Sequence, residues 1–286
     1  MTRPLTADQV AQAFCDACLA ELDALKPGNV HRFGNDPRMS IADFETSARV
    51  AAPVLASSGL SVGARIRRSV EATIDAVGHN TNLGIILLSA PLTAAALDVS
   101  GGDLRRRLGR VLAGLSISDA RETYAAICHA KPGGLGEAPD HDVGSEPTVS
   151  LLEAMRAAGG QDRIAWNYAH DFADIFELGL PQFRQAVARR RFLPAAATLV
   201  YLRFLARIPD TLIERKFGTA RAFEVQQEAK RLEATLRDRP TAETLEPDLM
   251  AFDRTLKARG LNPGTSADLT VATLFAASLQ ALEIGC

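Results

Sequence analysis

The segment Leu25-Lys26-Pro27-Gly28-Asn29-Val30-His31-Arg32-Phe33-Gly34 puts a cation, two glycines and an amide side chain directly after a helix-forming run. Read by itself it is a helix stop: Pro27 ends the run, Gly28 and Gly34 permit positive φ, and the rest is a solvated turn. Two further Pro-Gly corners shift that reading, Lys131-Pro132-Gly133-Gly134 and Asn262-Pro263-Gly264-Thr265-Ser266. Corners of this kind expose backbone N–H groups, which together with a lysine make an anion-holding set. The chemistry expected of them is phosphate binding, by Lys26, Gly28 and Asn29 at the first, Lys131 and Gly133 at the second, and Gly264 and Ser266 at the third.

In the third corner Thr265 or Ser266 is placed to cap the helix that follows, with its first-turn amides pointing outward. Plain capping is the competing reading there. Asp268 in the same turn would repel a phosphate unless a cation lies between them, which points to Mg²⁺.

A fourth polar knot, Gly78-His79-Asn80-Thr81-Asn82-Leu83-Gly84, precedes an apolar run. Asparagines entering a buried helix either cap it or hold a ligand, so Asn80, Thr81 and Asn82 join the nucleotide-binding candidates. Upstream, Glu71 and Asp75 stand four apart on one helical face, a like-charge pair that disfavours the helix unless a cation is near. Glu71, Asp75, Asp210 and Asp268 are therefore the carboxylates considered as metal ligands. Asp140, His141 and Asp142, then His170 with Asp171 and Asp174, and Glu214 behind Asp210, each read more simply as loop or surface residues. Many carboxylates without His-rich spacing argue for oxygen-bound Mg²⁺ over Zn²⁺.

The elements that must position these groups are helices. Starting signals recur at Thr6 with Gln9, Ser40 with Asp43, Ser118, and Ser266, each before apolar residues three to four apart. Ala, Leu, Arg, Glu and Gln dominate the long segments, and alternating β-branched runs are scarce, so the expected fold is all-α, a single multi-helix domain over 1–286 with about ten to thirteen helices. The polar stretch 131–147 is the best candidate for an internal boundary. The window 84–97 is shorter than a membrane span and reads as a buried core helix. The runs LRRRLGR at 104–110 and ARRRF at 188–192 read as solvated helix faces.

With 286 residues, 47% of them hydrophobic, the chain is long enough to bury a sizeable core. Its 32 basic and 34 acidic side chains leave a net charge of -2, which gives no global attraction to nucleic acid or to an anionic membrane. Any anion site must be local. Cys15 and Cys18 form a C-x-x-C on one helical face and are expected to be buried; with Cys128 and Cys286 standing alone there is no second pair, no disulfide framework follows, and the usage fits a reducing cytosol. The first residues lack the basic-then-apolar pattern of a secretory signal, so the expected location is cytoplasmic.

The order of four segments, ELDALKPGNV, GHNTNLG, DTLIERKFG and LNPGTSADLTVATLF, resembles the ATP:dephospho-coenzyme A triphosphoribosyltransferase family, over nearly the whole chain from Glu21 to Phe275. The resemblance implies an all-α enzyme in which the ribose 2'-hydroxyl of 3'-dephospho-coenzyme A displaces adenine from ATP, leaving the triphosphate on the transferred ribose. Family motif positions carry over to Glu21, Lys26, Pro27 and Gly28; to Asn80 and Thr81; to Asp210 and Thr211; and to Pro263, Gly264, Ser266, Ala267 and Asp268. The expected partners are small molecules, ATP and dephospho-coenzyme A or a related cofactor precursor, with Mg²⁺ as cofactor; a homodimer is compatible with this. Breaking an N-glycosidic bond through an oxocarbenium-like state asks for cations on the polyphosphate, a carboxylate near the ribose and a base for the incoming hydroxyl. Glu21 and Asp142 are the candidate bases.

One position departs from the pattern. Where the family motif usually reads Asn-Thr-His-Lys-Gly, this chain has Asn82 and Leu83, and leucine cannot replace lysine as a point charge for polyphosphate. Either other residues hold the triphosphate or the substrate is not a triphosphate. The altered motif is similar to a divergent branch found beside one-carbon cofactor genes, so a second reading is another ATP-using transferase or ligase acting on a methanopterin- or methanofuran-type precursor. A third is a non-catalytic nucleotide-binding protein.

Overall fold

The computed structural model describes residues 5–34, 40–134, 140–189, 193–236 and 246–285. Among these there is no strand, and fourteen α-helices follow one another with one π-helical stretch. They are α1 (Ala7–Leu22), α2 (Ile41–Leu55), α3 (Val62–Val77), α4 (Leu83–Leu97), α5 (Leu104–Ala113), α6 (Ile117–Ala130), α7 (Leu151–Ala158), α8 (Arg163–Ala169), the π stretch Asp174–Gly179, α9 (Leu180–Ala188), α10 (Leu193–Arg207), α11 (Thr211–Phe217), α12 (Thr219–Leu236), α13 (Glu246–Ala258) and α14 (Gly264–Ile284). The all-α expectation holds. The number of helices is slightly above the expected range because α7, α8 and α11 are only two turns long, too short to show a hydrophobic period.

Local chemistry sets most helix starts. Thr6 and Gln9 form the reciprocal cap of α1, with Gln9 N–H donating to Thr6 Oγ1 at 3.2 Å and Thr6 N–H to Gln9 Oε1 at 3.0 Å. Helix α6 starts two residues earlier than its Ser118 signal suggests. Ser116 is the cap, and Asp119 answers it by accepting the Ser116 N–H at 2.9 Å.

The chain gathers into two compact units, one made of Met1–Cys18, Ala42–Ala173 and Phe275–Cys286, the other of Leu19–Ile41 and Asp174–Leu274. The expected boundary at 131–147 therefore lies inside the first unit. The helices flanking it, α6 and α7, pack together there, and Leu151 N–H donates to Ser116 O at 3.1 Å.

In the first unit α4 is buried nearly all round, as its uniform apolarity requires, and packs against α3 and α5. Tyr168 is anchored by its hydroxyl, which donates to Leu87 O at 2.6 Å. Helices α3 and α6 approach so closely at Gly63 that a β-carbon there would lie 2.6 Å from Asp119 Cα. The arginine run at 104–110 is solvated except at Arg107, which is 3% exposed and pairs with buried Glu283. The run 188–192 falls mostly outside the described residues. Cys18 is buried and Cys15 half-buried, and neither forms a disulfide among the described residues.

In the second unit α10 packs against α9 and α12, and α11 against α12. Leu25, Tyr201, Ile213, Val225, Leu256 and Leu261 share its core. Helix α14 is long and apolar enough to cross a membrane by length and composition, and 61% of its most apolar window is buried inside the protein, the situation of a core helix.

Candidate active site

The Lys26 loop lies in the second unit and is not a solvated turn. Every residue from Ala24 to His31 is buried, and Lys26 has 0% exposure. A lysine there must find partners for three N–H donors. Lys26 Nζ pairs with Glu21, the penultimate residue of α1, and donates to Asn29 Oδ1 at 3.1 Å and to Val30 O at 2.6 Å. Burial pushes the Lys26 ammonium below its ordinary value and the Glu21 carboxyl above its own, and each charge opposes the other's shift. Lys26 is thus the knot that ties the loop.

The rest of the loop is held from other helices of the same unit. Tyr201 on α10 donates its hydroxyl to Pro27 O at 2.7 Å. Gly28 has φ +82°, and its N–H donates to Asp253 Oδ1 on α13 at 2.8 Å. A β-carbon at Gly28 would lie 2.9 Å from both Leu256 Cβ and Leu261 O, so only glycine fits. Asn29 Nδ2 donates to Asn262 Oδ1 at 2.7 Å.

Asp253 also binds His31, whose Nε2 lies 3.2 Å from Asp253 Oδ1, and Lys257, whose Nζ lies 3.0 Å from Oδ2. The Phe33 N–H donates to His31 Nδ1 at 3.2 Å, which makes that nitrogen an acceptor and places the ring proton on Nε2. Burial holds the imidazole below its ordinary value, as the neutral tautomer requires, although the Asp253 hydrogen bond pulls the other way. Burial alone would raise Asp253, but the hydrogen bonds from His31, the Gly28 N–H and Lys257 hold it below the usual carboxylate range. His31 and Asn262 stand in the quoted corners, but neither they nor Asp253 and Lys257 were given a role from the sequence. Asp253 and Lys257 stand four apart on one helix, which is the only local signal of the set.

Asp210 caps α11 with Oδ1, accepting from Leu212 N–H at 3.1 Å and Ile213 N–H at 3.2 Å. Its Oδ2 accepts from the N–H and the hydroxyl of Ser266 in the first turn of α14. Thr265 Oγ1 accepts the Leu212 N–H at 3.2 Å and lies 3.1 Å from Thr211 Oγ1. One carboxylate therefore serves two helix starts. Burial raises the Asp210 carboxyl above its ordinary value, against the pull of the four hydrogen bonds. Helix α14 begins at Gly264, before Thr265 and Ser266, so neither is its N-cap, and the Ser266 N–H is directed at Asp210. Asp268, half-buried in the next turn position, exerts its charge on Lys26.

The remaining candidates lie in the first unit. Asn80 Oδ1 accepts the Leu83 N–H at 3.0 Å and so caps α4; Thr81 Oγ1 donates to Ser47 Oγ at 2.7 Å; Asn82 Nδ2 donates to Thr73 Oγ1 at 3.1 Å. Glu71 accepts from Arg67 Nε at 2.8 Å, and Asp75 is exposed. Lys131, despite sharing Lys-Pro-Gly with the first loop, is an exposed left-handed C-cap of α6, and Gly133 beside it is exposed. Asp142 Oδ1 accepts the Gly144 N–H at 2.8 Å, and Asp140 and His141 are exposed. His170 donates from Nδ1 to Trp166 O and stacks on the Trp166 ring at 4.1 Å.

Among the described residues no three His, Cys, Asp or Glu side chains gather where they could hold a metal ion. Glu71 is paired with Arg67, and both oxygens of Asp210 are filled by hydrogen-bond donors. These residues do not form a protein-built Mg²⁺ cage.

The second unit thus brings together Glu21, Lys26, Gly28, Asn29, Asp210, Gly264, Ser266 and Asp268, drawn from three segments far apart in the chain. None of the curated proteins matches the chain. A solved structure from Archaeoglobus fulgidus, assigned as a triphosphoribosyl-dephospho-CoA synthase, shares the fold with a TM-score of 0.64 at 22% identity, over 82% of this chain and 97% of its own. The family model CitG, described as ATP:dephospho-CoA triphosphoribosyl transferase, matches residues 7–285. With nearly its full length covered, the chain belongs to the ATP:dephospho-CoA triphosphoribosyl transferase family, and is a transferase with ATP among the family's substrates.

Proposed function

We propose that this chain transfers the triphosphoribosyl group of ATP to the ribose 2'-hydroxyl of 3'-dephospho-coenzyme A and releases adenine. The observation that carries the reading is the tie between family-matched segments: Asn29 of the first Pro-Gly corner bonds Asn262 of the last, and Ser266 beside it bonds Asp210. Family membership supports the substrates.

In this reaction the bond between ribose C1' and the adenine nitrogen breaks and a bond from C1' to the acceptor 2'-oxygen forms. The acceptor's proton leaves through a base, and the departing adenine takes one up. Glu21 is held by Lys26 in the interior, so its service is to fix the loop. We assign the carboxylate near the ribose to Asp268, the half-buried acid in the field of Lys26. Mg²⁺, in this reading, arrives with the triphosphate as part of the substrate. The side-chain amide of Asn262 and the ammonium of Lys257 are the donors the second unit offers to the triphosphate.

The test is mass spectrometry of small molecules after incubation with ATP, Mg²⁺ and dephospho-coenzyme A. Free adenine together with a triphosphoribosylated acceptor is the expected result. ADP or AMP without adenine would replace this reading by that of an ATP-using ligase or another transferase. Binding of ATP with no product at all would leave a nucleotide-binding protein.

A further inference from the structure

The three groups Lys26, Asn29 and Asn262 form a line of hydrogen bonds in which each polarity is forced by the one before. An ammonium can only donate. Lys26 Nζ lies 3.1 Å from the Asn29 side chain, so the Asn29 oxygen must face it and the Asn29 NH₂ must face away. That NH₂ lies 2.7 Å from the Asn262 side chain, so the Asn262 oxygen must face Asn29. The Asn262 NH₂ is then the end of the line. No described residue accepts from it, it is not among the buried unpartnered atoms, and the residue is only half-buried.

We propose that Asn262 is a ligand-facing hydrogen-bond donor for the oxygen acceptors of the nucleotide, and that Asn29 is the positioning residue through which the buried Lys26 charge fixes its polarity. This rests on the nucleotide reading above. It also gives the buried lysine a reason: Lys26 has no exposure with which to touch a phosphate, but through two amides it determines which face of Asn262 meets the ligand. An amide free to turn over would present oxygen half the time, and an oxygen facing the phosphate oxygens is repulsive. Rotation is blocked because reversing either amide sets donor against donor, or acceptor against acceptor, along a buried line.

The test is calorimetric binding of Mg·ATP, inorganic triphosphate and adenosine to the intact chain. Asn262→Asp keeps an oxygen for the Asn29 NH₂ and turns the outward donor into an acceptor. It is expected to weaken ATP binding about tenfold or more. Asn29→Asp keeps the oxygen facing Lys26 but removes the NH₂, so the Asn262 amide turns its nitrogen inward and its oxygen outward. ATP binding should fall by a similar factor, although residue 29 does not touch the ligand. In an Asn262→Ala background, Asn29→Asp should have no further effect on ATP binding, because the group it orients is gone. A weakening shared by inorganic triphosphate places the acceptor on phosphate; one seen only with ATP and adenosine places it on the ribose.

Unchanged ATP binding by Asn262→Asp overturns the proposal, and so does a full effect of Asn29→Asp in the Asn262→Ala background. Should Asn262→Asp fail to fold, Asn262→Ala alone decides: a loss of several-fold is expected, and wild-type affinity is contrary. A wild-type chain that binds no ATP removes the nucleotide reading itself and this inference with it, a result distinguishable from failure of the variants alone.

Discussion

Asp210 Oδ2 receives both the backbone N–H and the hydroxyl of Ser266, at 2.8 and 2.9 Å, while Oδ1 caps the helix to which Asp210 belongs. The aspartate is thus a joint between the start of α11 and the start of α14. Replacing it by alanine strands buried N–H donors at both. The expected loss is about 2–4 kcal/mol of unfolding free energy, with Asp210→Asn intermediate because its oxygen still caps α11. Urea unfolding followed by circular dichroism measures this; a loss below about 0.5 kcal/mol would mean that the joint carries no stability.

Lys26 and Lys131 test how far a shared tripeptide predicts a shared role. Lys26→Met leaves the buried Glu21 carboxylate without its cation and is expected to cost about 3–5 kcal/mol, whereas Lys26→Met with Glu21→Leu should recover much of that. Lys131→Ala, at an exposed position, should stay within about 0.5 kcal/mol of wild type. Equal effects of the two single substitutions in the same unfolding assay would contradict the burial of Lys26.

His31 sets a pH dependence of definite sign. Its folded value lies below the ordinary 6.5, so the unfolded chain takes up a proton that the folded one refuses. Stability from this group is therefore complete above 6.5 and is lost as pH falls from there toward the folded value, levelling off below it. His31→Gln should flatten the slope of unfolding free energy against pH in that window even if it lowers stability throughout. A slope identical to wild type would show that His31 is not the titrating group.

Gly28 and Gly59 both have positive φ, +82° and +73°, but a β-carbon at Gly59 would meet nothing within 4 Å. Gly59→Ala should cost about 1 kcal/mol, from backbone strain alone. Gly28→Ala adds collisions with Leu256 and the Leu261 carbonyl and should cost at least about 2 kcal/mol more, because that carbonyl is backbone and cannot step aside. Thermal unfolding of the two variants side by side isolates the packing component.

The helices were legible because their causes are local: Thr6 with Gln9 and the uniform apolarity of α4 can be read within a few residues. The Pro-Gly corners were legible as corners. Their burial was not, because Lys26-Pro27-Gly28 and Lys131-Pro132-Gly133 are the same letters with opposite surroundings, and only packing tells them apart. The start of α6 was misplaced by two residues because Ser116 and Ser118 are equivalent by type, and the choice is made by the answering carboxylate of Asp119. In the site, Asp210 and Ser266 were each noticed, but as metal ligand and phosphate donor. Their bond to one another, across 56 positions, has no signature in spacing. His31 and Asp253 escaped for the same reason.

The Gly28 N–H waits for an acceptor 225 positions downstream, and the Asn29 amide for one 233 downstream. During synthesis the loop is therefore made long before it is completed. Until residue 253 has emerged from the ribosome the Gly28 N–H and the Asn29 amide nitrogen have only water to bond, so a nascent or truncated chain ending before α13 should expose the Lys26 loop to protease while the full chain hides it. Closure over so long a contour is expected to follow formation of the local helix caps.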